Sequence, residues 1–83
     1  MFGVFGKYTL YLVMESGERG HFCEISRNGY LLLDSNSNNG KRFASISSAK
    51  SYYFSNLDNY RDPMTGRVVG AYIYEDGRKV GGL

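Results

Sequence analysis

The chain has 83 residues, a net charge of +2 and a single cysteine, Cys23. That length holds one domain, residues 1–83, and a chain this short hides only about 60–65% of its extended surface on folding, so the core must be small and single. One cysteine excludes an intramolecular disulfide and fits a reducing compartment, so the expected location is cytoplasmic, while +2 is too small a charge to name a polyanion as partner.

Residues 7–14 alternate Tyr8, Leu10, Leu12 and Met14 against Lys7, Thr9, Tyr11 and Val13, the period-2 pattern of a strand with one apolar face. The beginning of the chain is apolar in part, but it lacks a basic start, carries Lys7 and runs into Glu15, so residues 1–13 read as strand rather than as a targeting segment. No stretch approaches the roughly 18–20 apolar residues of a membrane span, and no membrane partner is expected.

Ser16-Gly17-Glu18 supplies a turn, and residues 21–26 return as a second strand with Phe22, Cys23 and Ile25. Asn28-Gly29 then predicts a type I′ turn with two positive φ angles, which makes residues 30–34 the third strand of a meander. Residues 34–40 are small and polar and form a loop, of which 35–40 is the one part polar enough to be disordered. Lys41-Arg42-Phe43 is expected as a short edge strand with Phe43 against the first turn of the next element.

That element is the only one with helical spacing. Over residues 45–57, Ile46, Ala49, Tyr53 and Leu57, with Tyr60 beyond, recur at steps of three or four, which places them on one side of a 3.6-residue helix. Ser45 and Ser47 are both competent N-caps, and Asp62-Pro63 is the expected stop, because a residue before proline avoids helical angles. Residues 62–66 form a tight turn into the strand 67–75, which holds Val68, Val69, Tyr72, Ile73 and Tyr74. Asp76-Gly77 is a further hairpin signal, so residues 78–80 turn back as a short strand, and Gly81-Gly82 reads as a loose end.

The fold class is therefore α+β: a largely antiparallel sheet of four to five strands with one helix packed on one face. The second face is left for water, a partner or another copy of the chain, and Tyr11, Val13, Tyr30 and Leu32 are its candidate lining.

Little in the chain points to catalysis. His21 and Cys23, two apart on a strand, would face the same way, but a metal site needs three or four ligands and the chain has no other His or Cys. A satisfied strand histidine and a buried cysteine are expected, with no metal and no cofactor. Glu15 with Glu18, and Glu75 with Asp76, fall in or beside turns, where a carboxylate has no reason for a raised pKa. No glycine spacing suits a phosphate cradle, and the chain is read as not an enzyme.

Tyrosine is the informative residue: eight tyrosines and five phenylalanines exceed what so small a core hides, and tyrosine is suited to a boundary between apolar and wet surroundings. Tyr and Arg favour protein interfaces, and Tyr11, Tyr30, Arg42, Tyr52, Arg61 and Tyr72, chosen off the helical stripe or on the second sheet face, are the expected partner-binding residues. Charge is uneven: Lys7, Arg19 and Arg27 face Glu15, Glu18, Glu24 and Asp34 in residues 1–40, whereas residues 41–83 are mildly basic. Lys41, Arg42, Lys50, Arg61 and Arg67 are the candidates if the partner is nucleic acid, in which case affinity falls steeply with salt.

Two resemblances rest on three strands followed by Phe43-x-Ser45-x-x-x-Ala49-x-x-Tyr52-Tyr53-x-x-x-Leu57. The pattern resembles the Arm-type DNA-binding domain of phage integrases, which implies a nucleic-acid-binding sheet and fits Lys41-Arg42, although Glu15, Glu18 and Glu24 lie where phosphate would be met. In size, single-domain α+β layout and want of catalytic residues, the whole chain resembles small phage-encoded inhibitors of bacterial defence, anti-CRISPR proteins among them. That second resemblance implies a non-enzymatic protein that blocks a host protein or nucleoprotein complex by covering its surface. A homodimer is a further possibility left by the free sheet face.

Overall fold

The computed structural model describes residues 6–83; the strand reading of residues 1–5 lies outside that range. Alternation is realised as expected in β1, Tyr8–Met14: Leu10, Leu12 and Met14 are buried on one side, and Thr9, Tyr11 and Val13 take the other. β1 turns into β2, Arg19–Ile25, through a three-residue loop in which the Gly17 amide donates to the Met14 carbonyl at 2.8 Å and Gly17 has φ +98°. The same device joins β2 to β3, Leu31–Asp34: the Gly29 amide donates to the Ser26 carbonyl at 2.9 Å and the Ser26 amide to the Tyr30 carbonyl at 2.8 Å. Only Gly29 of the Asn28-Gly29 pair has a positive φ. The expected type I′ turn is therefore replaced by a loop one residue longer, a turn followed by one left-handed glycine.

β2 is bulged at Cys23, where the register with β3 steps from Phe22 opposite Leu33 to Glu24 opposite Leu32. An extra residue bends the strand that carries it, and the last β1–β2 pair is Tyr11 with His21. Beyond it residues 41–43 come in beside β1. The Lys41 amide donates to the Phe22 carbonyl at 2.8 Å, and Phe43 exchanges two hydrogen bonds with Tyr8, at 2.8 and 3.2 Å. Lys41-Arg42-Phe43 is thus a strap with one bridge to β1 rather than an edge strand. Residues 34–40 are ordered by their own side chains, with Asp34 Oδ1 accepting from the Asn36 amide at 2.7 Å and Asn36 Oδ1 from the Asn38 amide at 2.9 Å around a 3₁₀ turn, Ser37–Asn39.

The helix α1, Ile46–Tyr52, starts at Ser45, whose hydroxyl accepts from the Ser48 amide at 3.0 Å while Ser48 Oγ accepts from the Ser45 amide at 3.2 Å. A reciprocal cap of this kind satisfies two otherwise free amides. Ala49, Tyr53 and Leu57 are buried as the stripe requires, but Ile46 stays 39% exposed. The stripe runs at steps of four from Ala49 onward, and the chain follows it by widening into a π-helical turn, Tyr53–Leu57. It stops at Leu57, where the Asp58 amide closes on the Tyr53 carbonyl at 2.9 Å and Asn59 turns to φ +68°. Asp62-Pro63 is consequently not the helix stop; Asp62 has a different task.

The last strands are β4, Arg61–Asp62, β5, Gly66–Glu75, and β6, Arg78–Gly82. Asp76 and Gly77 both have positive φ, at +49° and +85°, as a primed hairpin turn requires. Gly81 and Gly82 pair with Ile73 and Tyr72, and the Leu83 amide donates to the Ala71 carbonyl at 3.0 Å, so the expected loose end is a strand of the sheet. The sheet is antiparallel throughout, in the order β3-β2-β1-β5-β4, with β6 also on β5. The α+β class is as expected, and the two-residue β4 raises the strand count among the described residues to six.

β3 and β4 stand at opposite ends of that order, yet they meet. The Asp62 carboxylate accepts from the Leu31 amide at 2.6 Å, and Tyr60 Oη donates to the Gly29 carbonyl at 2.6 Å. The sheet is curled until its two outermost strands touch at one end. Inside the curl Leu10, Leu12, Met14, Phe22, Leu31, Ala71 and Ile73 pack against Phe43, Ala49, Tyr53 and Leu57.

Candidate functional site

With the helix and the core on the concave side, the convex side of the sheet is the candidate site. Strand register fixes who shares it, because residues opposite one another point the same way. One rank runs Asp34, His21, Tyr11, Tyr72, Gly82 across five strands; a second holds Thr9, Tyr74 and Lys79; a third holds Arg19, Val13 and Gly70. Beyond it Arg61 and Arg67 lie opposite each other in β4 and β5.

The middle of this face is aromatic. Tyr11 and Tyr74 stack with centroids 4.9 Å apart and planes at 24°, and His21 presents its edge to each at 5.0 Å. His21 is 4% exposed and its Nδ1 lies 2.9 Å from Thr9 Oγ1. The strap end covers both residues: at Gly40 even a β-carbon would stand 3.1 Å from His21 Cβ and 3.3 Å from Thr9 Cγ2. Burial lowers the His21 pKa below its ordinary value, against a smaller upward pull from Asp34 opposite it. The ring is neutral at pH 7, and its NMR titration midpoint is expected below the ordinary 6.5 or so; a midpoint above that would show Asp34 to outweigh burial.

Tyr72 lies between two glycines: its ring comes within 3.4–3.5 Å of where a Gly70 β-carbon would sit and 3.7–4.0 Å of where one would sit at Gly82. An aromatic ring covering glycine on a neighbouring strand shields backbone that has no side chain of its own. Lys79 Nζ stands 4.3 Å from the Tyr72 centroid, a cation–π distance.

Of the six expected contact residues, Tyr11 and Tyr72 are direct neighbours here and Arg61 lies at the end of the same face. Tyr30 lies elsewhere, before β3, in a groove of about 370 Å³ shared with Ser16, Glu18, Leu31, Leu32, Asp62, Met64 and Thr65. Arg42 is spent on the strap, donating to the Gly6 carbonyl at 3.3 Å and Asn38 Oδ1 at 3.1 Å. Tyr52 is on the helix side, half-buried, with its centroid 5.8 Å from Phe22 and 5.3 Å from Phe43, and with Lys41 Nζ at 5.2 Å. The candidates for nucleic acid are split in the same way: Lys41 and Arg42 on the strap, Lys50 on α1, and Arg61 and Arg67 on the convex face.

Tyr74, Arg19 and Lys79 complete the face and were not singled out in the sequence. Tyr74 carried a usable signal, since it is two residues from Tyr72 on one strand. Cys23 is half-buried rather than buried, and the bulge at its own position breaks the alternation that would have set it beside His21. Burial pushes its thiol pKa up, with Asp34 and Glu24 adding to this, which favours the thiol over the nucleophilic thiolate. Among the described residues no group of three or more His, Cys, Asp or Glu side chains could hold a metal ion, and no helix is long and apolar enough to cross a membrane.

No family model, curated protein or solved structure matches this chain. The reading of its function therefore stands on the geometry above.

Proposed function

We propose that this chain is a non-enzymatic binding protein that covers a surface of a partner protein with the convex face of its sheet. The observation that carries the reading is the Tyr11–Tyr72–Tyr74 cluster: three half-buried tyrosines in one contiguous patch, Tyr11 stacked on Tyr74 and Tyr72 packed over glycine beneath Lys79, with arginines at the patch's end. Rigid aromatics beside arginine are what protein interfaces use for most of their binding energy. His21, the one histidine, supports a structural rather than a catalytic role, since it is buried and hydrogen-bonded to Thr9.

The resemblance to small phage-encoded inhibitors suggests the partner class, a host defence protein or nucleoprotein complex. Direct nucleic-acid binding is less well supported, because the basic residues it would use do not form one track.

The test is recovery from bacterial lysate with the tagged chain, with and without nuclease, beside a Tyr11→Ala/Tyr72→Ala double variant. A single stoichiometric protein that survives nuclease and is lost with the double variant is the expected result. Recovery that vanishes with nuclease would replace this reading by nucleic-acid binding, and unchanged recovery by the double variant would move the contact off this face.

A further inference from the structure

We infer that the partner of the convex face is acidic, and that a cluster of aspartate and glutamate side chains on a protein docks against Arg19, Arg61 and Arg67. This rests on the reading that the convex face is the binding face. Arg61 and Arg67 are register partners across β4 and β5, and both are exposed. Side chains directly opposite on one face of an antiparallel pair start only about 5 Å apart, and like charges so placed repel. Among the described residues neither guanidinium has a carboxylate within 4.0 Å: the one ion pair at that distance is Lys7 with Glu75, at 3.0 Å on another part of the sheet. The carboxylate nearest in the chain pairing is Glu15, and its Oε1 is engaged by the Arg67 backbone amide at 3.1 Å rather than by either guanidinium. Arg19, opposite Val13, adds a third exposed guanidinium to the same end of the same face.

A carboxylate entering between two guanidiniums accepts paired, charge-assisted hydrogen bonds from both and turns their repulsion into attraction. Tyr11 and Tyr72 lie one rank from Arg19, and the Arg61–Arg67 pair lies beyond that rank, so the apolar surround of such a cluster would pack on the tyrosine side of Arg19. The occupant is a protein rather than a nucleic acid because the cations form no continuous track: Lys79 stands apart from the arginines, held over the Tyr72 ring at 4.3 Å. Across the sheet the face ends in Glu24 and Asp34, and Lys41, Arg42 and Lys50 lie on the strap and the helix. A polynucleotide needs a groove of positive charge along its length, and here phosphates laid past the arginines would reach carboxylates. A compact acidic cluster needs only one end of the face.

Titration of the isotope-labelled chain at low salt with a hexaglutamate peptide, and separately with a six-nucleotide oligothymidylate, tests the inference. The expected result is that hexaglutamate shifts the Arg Nε–H signals of Arg19, Arg61 and Arg67, that it binds more tightly than the oligothymidylate, and that Arg61→Glu/Arg67→Glu weakens it at least tenfold with the rest of the spectrum unchanged. Tighter oligothymidylate binding at the same arginines would overturn the protein assignment, and shifts confined to other residues, or none, would overturn the acidic partner altogether. The convex-face reading is judged apart from this, by the Tyr11→Ala/Tyr72→Ala variant against the captured partner, so loss there with no hexaglutamate binding would sink only the inference.

Discussion

Replacing Asp62 by alanine is expected to lower the stability of the fold by about 3 kcal/mol, read by urea denaturation. Its side chain is 4% exposed, and its two oxygens accept from three backbone amides: Leu31 at 2.6 Å, Met64 at 2.7 Å and Thr65 at 2.8 Å. A hydrogen bond to a charged acceptor contributes roughly 1.5–3 kcal/mol, and a buried donor left without a partner costs roughly 1–3 kcal/mol. The Leu31 amide is the one with no solvent-facing substitute, because Leu31 is itself buried. Asp62→Asn keeps an acceptor for some of these donors and should lose about half as much. Burial pushes the carboxyl pKa up, but the amides of Thr65, Leu31 and Met64 outweigh it, and the net value lies below the ordinary carboxylate range. A folded-state pKa below the unfolded one stabilises the fold above the unfolded value, about 3.9, and that contribution is lost as pH falls through the lower folded value. Wild-type stability should therefore drop with acid in that window, and the Asp62→Asn variant should show less of the drop; identical acid profiles would remove the charge from the account.

Phe22→Ala should cost about 3–5 kcal/mol, the range for deleting a buried phenylalanine. Phe22 is fully buried, lies under the Tyr52 ring at 5.8 Å and sits at the point where β2 leaves β1. An 83-residue domain has roughly 4–12 kcal/mol in all, so the variant should lose at least about a quarter of that, read as a lower urea midpoint. A cost below about 1 kcal/mol would mean that the strap closes over the vacated space.

What the sequence shows well is whatever depends on near neighbours. The alternation of Tyr8 to Met14, the Ser45 cap, the Ala49–Tyr53–Leu57 stripe and the Asp76-Gly77 turn are all local patterns, and each is realised. What it hides depends on distant partners. Nothing around Cys23 marks a bulge, and the strap that meets β2 beside it, with the Lys41 amide on the Phe22 carbonyl, comes from far along the chain. Gly81 and Gly82 look unstructured until Tyr72 is found beside Gly82. Asp62 reads as punctuation because its main partner, Leu31, is 31 residues away.

The candidate site divides along the same line. Tyr11 and Tyr72 follow from alternation, whereas Tyr52, which lies off the helical stripe, is drawn against the core by Phe22 and Phe43 from β2 and the strap. That Arg61 faces Arg67 depends on a two-residue strand too short to leave a periodic trace.

The position of β1 also sets a timetable for the nascent chain. β1 lies at the centre of the sheet, with β2 on one flank from the next hairpin and β5 on the other from residues 66–75. When residue 34 has left the ribosome the meander exists, but the backbone of Tyr8–Met14 still has one edge bare and Leu10, Leu12 and Met14 have neither β5 nor the helix to cover them. At about 5–20 residues per second, roughly 2–8 s separate the emergence of residue 34 from that of residue 75. During that interval the strand that ends up innermost is an open edge, guarded by how soon the second half arrives.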